Sequence, residues 1–467
     1  VFYQAIEHSR LSHIRAADQR HNIRHAAIYD FTTWGNLVPF KMMKTKAPST
    51  LGSVIIWSVI SAAFIGPGTI TTALSAGANH QLELLWTVVF ATVACIVLQE
   101  VSARLVIDTG LTLGEAIQQR LGASATMIKW LTGGSVVLGC AAYEAGNILG
   151  AISGLQLLFP VSRPVLTIAV VLVAGAILWS SLRKLMGWVM TALVALMGVA
   201  FLFLSFRTQH TLADVGVAMS HVQVPPGAEL LALGLVGTTI VPYNIFLGSG
   251  IGKGQTLALM RTGLSVSVII GGAITAWILL AGTLLPGFDS FQLVAEVFRE
   301  RVGVWGAILF GLGLFAAGFS SAITSPFAAQ VVAETVFGWR SQYAIKALGL
   351  LVLATGFAFG LSGRAPIPVI VIVQALNGLI LPLLTGLLIY LVNDRHLVSA
   401  SSLPSWWYNV VLVIVMMAVT RIGVAGISKS WQAVMGVAPG ESINWLATGL
   451  ITAAATLLAI RGRFVSR

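Results

Sequence analysis

Two short stretches carry the residues best placed to do chemistry. "FIGPGT" sets Gly66, Pro67 and Gly68 in a row before Thr69, inside the first long apolar run. "TTIVPYN" sets Pro242 between Val241 and Tyr243, with Thr238 before them and Asn244 after. Proline removes a backbone donor and clashes with the preceding helical turn, while glycine lets a chain unwind. Each stretch predicts a helix break that frees carbonyl and amide groups, and in hydrocarbon such groups survive only where they line a buried or watery cavity. A proline kink is the plainer reading of either break alone. A pair at matching positions in two halves points to a substrate site built from half-helix ends.

A third stretch, "CAAYEAGNILG", holds Glu144 and Asn147, three residues apart and so on one helix face. An acid at span depth costs roughly 2.5 kcal/mol or more and is functional by default. Glu144 is read as a proton carrier with Asn147 beside it, the alternative being a neutral, hydrogen-bonded structural acid. Glu100, Arg104 and Glu115, near the inner end of the second span, read as structural ion pairing. Thr71, Thr72 and Ser75 read as small-residue helix packing.

The elements that must position these groups are membrane spans. The chain is 57% hydrophobic and 9% charged over 467 residues, with a mean hydropathy of +0.90, far from the soluble average of about 25% charged. Spans need roughly 20 apolar residues each. Twelve are predicted, at 53–77, 84–108, 126–158, 164–181, 185–205, 229–249, 264–286, 303–336, 343–363, 366–392, 405–426 and 443–461. The expected fold is an all-α integral membrane protein. Residues 53–205 and 229–392 form two five-helix halves in an inverted repeat with broken first and sixth helices, and 405–461 adds two more.

The formal net charge of +11 is explained by topology, since no soluble region is large enough to bind nucleic acid. With a cytoplasmic N-terminus, Lys and Arg divide 20 inside to 7 outside, as the positive-inside rule requires. The expectation is a multi-pass protein of the cell inner (plasma) membrane with both termini cytoplasmic. Residues 1–50 read as a polar extension, disordered or non-essential, ahead of a transporter domain at 51–467. Val1 to Lys41 are expected to be a non-essential extension or upstream read-through, with Met42 an ordinary start. Cys95 and Cys140 fall in apolar spans as small buried hydrophobes, with no disulfide framework. No enzyme motif, phosphate loop or cytosolic ATPase domain is present, and no cofactor is expected. Paired broken helices suit an alternating-access carrier better than a channel.

Several further stretches carry a resemblance: "LLWTVVFATVACIVLQEVSARLVIDTGLTLGEA" (84–116), "VGTTIVPYNIFLGSG" (236–250), "GLFAAGFSSAITSPFAAQVVAET" (313–335) and "VQALNGLILPLLT" (373–385). From about Leu51 to Asn393 the chain resembles the Nramp family of proton-coupled divalent metal transporters. That resemblance implies a LeuT-type inverted repeat. The family's first-span Asp-Pro-Gly-Asn motif falls on Gly66, Pro67, Gly68 and Thr69, and its sixth-span Met-Pro-His on Val241, Pro242 and Tyr243, with a second histidine on Gly248. The third-span acidic pair falls on Glu144 and Asn147, and the tenth-span glutamine on Asn377. The ninth-span arginine is replaced by an apolar residue near Leu351. The carboxylate, sulfur and imidazole ligands are therefore gone.

The expected substrate lining is Gly66, Thr69, Thr238, Val241, Tyr243, Asn244 and Asn377, with Gly66 and Thr238 acting through backbone groups and Thr69 and Asn377 as metal ligands. Such an uncharged oxygen shell fits a dehydrated Mn²⁺ or Fe²⁺ poorly and suits a hydrated hard ion better. The substrate is read as a divalent metal cation coupled to protons. The alternative is a LeuT-type carrier of an amino acid or other small organic or anionic solute, held at the half-helix N-terminus near Gly68. A transporter that has lost its activity stays open as well.

Overall fold

The computed structural model describes residues 53–464 apart from 55–56, 58–59, 61–62, 123–124, 180–194, 196–197, 200, 252–254, 289, 400–401 and 438. The polar first 50 residues, with their expected extension, lie outside the described residues. Among the described residues the secondary structure is helical, without a strand. In chain order the helices are α1 (Pro67–His80), α2 (Leu85–Thr109), α3 (Leu113–Leu121), α4 (Ala125–Leu158), α5 (Arg163–Trp179), α6 (Leu212–Ser220), α7 (Glu229–Thr239) and α8 (Pro242–Ile251). There follow α9 (Leu257–Gly282), α10 (Phe291–Val302), α11 (Val304–Thr335), α12 (Gln342–Leu361), α13 (Pro366–Val392), α14 (Trp406–Met435) and α15 (Glu441–Phe464).

Eight helical segments among the described residues are long and apolar enough to cross a membrane, and Arg163–Trp179 and Ile380–Val392 are shorter apolar helices. The first and fifth expected spans are described in part. Residues 53, 54, 57, 60, 63 and 64 are helical ahead of the first break, and much of 185–205 lies outside the described residues. The polar connections follow local rules: Thr112 and Glu115 close a reciprocal N-terminal capping box on α3, and Thr211 and Asp214 do so on α6. The Thr211 backbone N–H and hydroxyl hold the Asp214 carboxyl below its usual range. Glu115 thus caps a helix and does not share the ion pairing of Glu100 and Arg104.

The helix contacts have the symmetry of an inverted repeat. The first span (α1) packs on the seventh (α9), and the sixth (α7 and α8) packs on the second (α2). The third and eighth (α4 and α11) make the most extensive contact, with each other. Adding or subtracting five from each span number exchanges these pairs. The α4–α11 seam closes through glycines, which let membrane helices approach at backbone distance. A Cβ on Gly154 would lie 2.6 Å from Gly311 O, and one on Gly318 would lie 2.6 Å from Asn147 O and 2.8 Å from Ala151 Cα. Backbone cannot retreat as a side-chain tip can. Gly318→Ala is expected to cost about 1–3 kcal/mol, read as a lower thermal midpoint of the purified protein; an unchanged midpoint would show that the seam can separate.

Candidate functional site

Both breaks form where glycine and proline require them. Helical residues run to Phe64, the chain bends at Ile65 and Gly66, and α1 restarts with Pro67 as its first residue. Proline suits that position because the first helical N–H has no partner in any case. Gly66 is extended, with φ −110° and ψ −173°. In the sixth span, α7 ends at Thr239, and α8 restarts at Pro242.

The two breaks meet through hydroxyls. Thr69 Oγ1 donates to Phe64 O across its own break. The same oxygen lies 2.8 Å from Thr238 Oγ1 on the other broken helix. Since the Thr69 proton points at the carbonyl, Thr238 is the donor between them. Gly66 O accepts from Ile70 N at 3.2 Å, and Phe64 O also accepts from Gly66 N at 2.9 Å. The carbonyls expected to face a ligand near Gly66 are therefore already engaged by one donor or more.

Neighbouring spans close around this bridge. A Cβ on Gly66 would lie 3.1 Å from Ser321 Oγ on α11, and Pro67 packs directly against Gly150 of α4. Tyr143 donates its hydroxyl to Gly237 O at 2.8 Å, and its ring meets Tyr243 edge-on at 5.9 Å between centroids. Val241, Tyr243 and Asn244 are all buried. Asn244 Nδ2 donates to Ile60 O at 3.5 Å, which ties α8 to the first half of the first span. Asn377 lies on α13, and its side chain is outside the described residues.

Glu144 is fully buried. Its Oε2 accepts from Asn147 Nδ2 at 3.4 Å, while Oε1 has no hydrogen-bond partner among the described residues. A Cβ on Gly356 of α12 would lie 3.0 Å from Glu144 Cγ. The acid therefore packs between the third and ninth spans. Near the C-terminal end of α4 a cavity of about 110 Å³ is lined by Leu149, Ser153, Arg163 and Ser290 among others. Arg163 is held there by donating to Gly360 O in the last turn of α12 and to Arg364 O just past it, each at 2.8 Å.

Ser321, Tyr143 and Gly150 were not among the expected site residues. Tyr143 adjoins Glu144 in sequence, but nothing in its type marks it for the sixth-span carbonyl it reaches. Among the described residues no group of three or more His, Cys, Asp or Glu side chains could hold a metal ion. What the breaks offer is neutral oxygen: the hydroxyls of Thr69, Thr238, Ser321 and Tyr143.

Residues 58–429 match the family described as "Natural resistance-associated macrophage protein-like" (Nramp). A curated relative from Verminephrobacter eiseniae (strain EF01-2), named divalent metal cation transporter MntH, is 26% identical over 364 residues, covering 73% of this chain and 81% of that protein. A relative of the same name from Yersinia pestis (strain Pestoides F) is 29% identical over 304 residues, covering 61% and 72%. In fold, the chain is similar to the manganese transporter of Eremococcus coleocola, solved in complex with an aromatic bis-isothiourea substituted compound. The TM-score is 0.70 at 20% identity, covering 89% of this chain and 93% of that one. This likeness agrees with the LeuT-type arrangement that the two breaks and the symmetric contacts describe.

Proposed function

The chain belongs to the Nramp family, and from that membership we propose that it is a multi-pass secondary carrier that moves a divalent metal cation across the membrane. The observation that carries the reading is the meeting of the two helix breaks at Thr69 and Thr238, in a chain matched by the family from residue 58 to 429. The relatives' name, divalent metal cation transporter, supports a cation over the organic or anionic solute weighed as the alternative. The chemistry of the breaks agrees. Hydroxyl oxygens meet at the breaks, and each keeps a lone pair that a cation can use.

In this reading Gly66, Thr69, Thr238, Val241, Tyr243, Asn244 and Asn377 line the substrate cavity, and Pro67, Gly68 and Pro242 keep the breaks open. Neutral oxygens suit a hard cation that retains part of its water shell, because without a carboxylate they replace only some of its hydration. Movement of the half-helices about the Thr69–Thr238 bridge would expose the site to one side and then the other. The 20-to-7 distribution of Lys and Arg supports an inner-membrane protein with both termini in the cytoplasm.

Glu144 and Asn147 are assigned to proton coupling. The support is a fully buried carboxyl with one oxygen lacking a partner among the described residues, six residues before Gly150, which packs against Pro67, on the same helix. The test is uptake of Mn²⁺, Mg²⁺ and an amino acid into proteoliposomes with and without an inward proton gradient. Divalent cation uptake stimulated by an acidic exterior is expected. Glu144→Gln, which keeps shape and hydrogen bonding but cannot carry a proton, is expected to lose the pH-stimulated component and retain the basal rate. Amino-acid uptake without cation uptake would reverse the substrate assignment, and an unaltered pH response in Glu144→Gln would remove Glu144 from coupling.

A further inference from the structure

Among the described residues two side-chain amide oxygens are buried without a donor. Gln99 on α2 and Asn244 on α8 are each about 1% exposed, and neither Gln99 Oε1 nor Asn244 Oδ1 has a hydrogen-bond partner among the described residues. Asn244 and Gly248 are four residues apart and so share one face of α8. Gly248 has no side chain, and Gln99 Oε1 occupies the space where its Cβ would stand. Gln99 Oε1 therefore reaches α8 at Gly248, one helical turn beyond Asn244 on the same face of the inner half of the sixth span.

Trp57 beside Gly248, and the hydroxyls of Ser102 and Ser249 on the same two helices, are committed elsewhere. Trp57, 3.7 Å from that same Cβ position, donates its indole N–H to Gln255 Oε1 at 3.2 Å. Ser102 donates to Ile245 O at 2.8 Å, and Ser249 to Phe246 O at 2.7 Å. Asn244 spends its own N–H on Ile60 O, which leaves its carbonyl as the free end. Buried acceptors without donors are costly unless something electropositive visits them.

We propose that Gln99 Oε1 and Asn244 Oδ1 form a cation-binding pair on the inner side of the helix breaks, taking a hard divalent cation that keeps part of its water shell. The proposal rests on the metal-carrier reading and adds Gln99, a residue outside the expected lining. Two neutral oxygens cannot fill the six or more positions of such an ion, so water supplies the rest. Amide oxygen is a hard donor, so the pair discriminates against a soft cation such as Cd²⁺. Glu100, the next residue on α2, is fully occupied by Arg104, Arg261 and Tyr408 and does not supply the charge.

The test is thermal stabilisation of the purified full chain titrated with Mg²⁺, Mn²⁺ and Cd²⁺, since a ligand that prefers the folded state raises stability by mass action. The wild type is expected to be stabilised by Mg²⁺ and Mn²⁺ more than by Cd²⁺. Gln99→Leu is expected to lose more than half of that shift. Gln99→Glu, nearly isosteric, is expected to lower the half-stabilising concentration roughly tenfold, because added ligand charge tightens such sites. Thr452→Val, which removes a buried hydroxyl on α15 with no partner among the described residues, should titrate as the wild type. A wild type stabilised by cations whose Gln99 variants titrate unchanged overturns this proposal alone. A wild type that responds to no divalent cation overturns it together with the metal-carrier reading.

Discussion

Gly66→Asp is expected to raise the affinity of the purified protein for Mn²⁺ about a hundredfold, roughly 2.7 kcal/mol. The first break holds neutral oxygens where a carboxylate would meet the cation with an opposite charge in a water-poor site. Gly66 has a negative φ, so an L side chain fits its backbone. The new Cβ would lie 3.1 Å from Ser321 Oγ, the tip of a side chain that can shift by a few tenths of an ångström. Metal binding to the new carboxylate requires its deprotonated form, so the gain should be present at neutral pH and fade as pH falls and protons compete. Titration calorimetry at two pH values checks both parts. Folded Gly66→Asp protein with wild-type Mn²⁺ affinity would take the first break out of the cation's path.

Glu100→Ala is expected to destabilise the protein by about 3–5 kcal/mol, the usual result of removing one partner from a buried ion pair. Glu100 Oε1 accepts from Arg104 Nη2 at 2.5 Å and from Arg261 Nε at 2.9 Å, while Oε2 accepts from the Tyr408 hydroxyl at 2.6 Å. One carboxylate thus ties the second, seventh and eleventh spans together. Arg261 is half exposed and can turn to solvent, but the Arg104 side chain is only 10% exposed and would lose its direct partner, keeping only the electrostatic influence of Asp108 one turn on. The Arg104 guanidinium also lies 4.9 Å from the centre of the Tyr408 ring, a contact too weak to replace the carboxylate. Denaturant or thermal unfolding in detergent measures the loss. A change under about 1 kcal/mol would put this pair among those that contribute little to stability.

The two helix breaks, the apolar spans between them and the lone acid of the third span were legible in the residues. Pro67 and Pro242 interrupt their helices whatever surrounds them, and matching the two breaks sets spans one to five against six to ten. The Glu100–Arg104 pair was legible too, because four residues on one helix bring two side chains together without help from any neighbour. Glu115 shows the limit of that rule: a charged residue near the same helix end is drawn into a capping box by Thr112, three residues before it.

Hydropathy, proline and glycine act over a few residues, so residue order alone was enough for spans, breaks and local pairs. Which groups meet across helices depends on the rotation and depth at which each helix packs, and neither is written in any single segment. Thr69 and Thr238 are 169 residues apart, and the glycines of α4 and α11 set how closely those two helices approach. Gln99 reaches the sixth span only because Gly248 leaves room at the right height. Packing, then, decides the arrangement of neutral oxygens at the breaks, because close helix contact determines which polar atoms find partners and which stay without one.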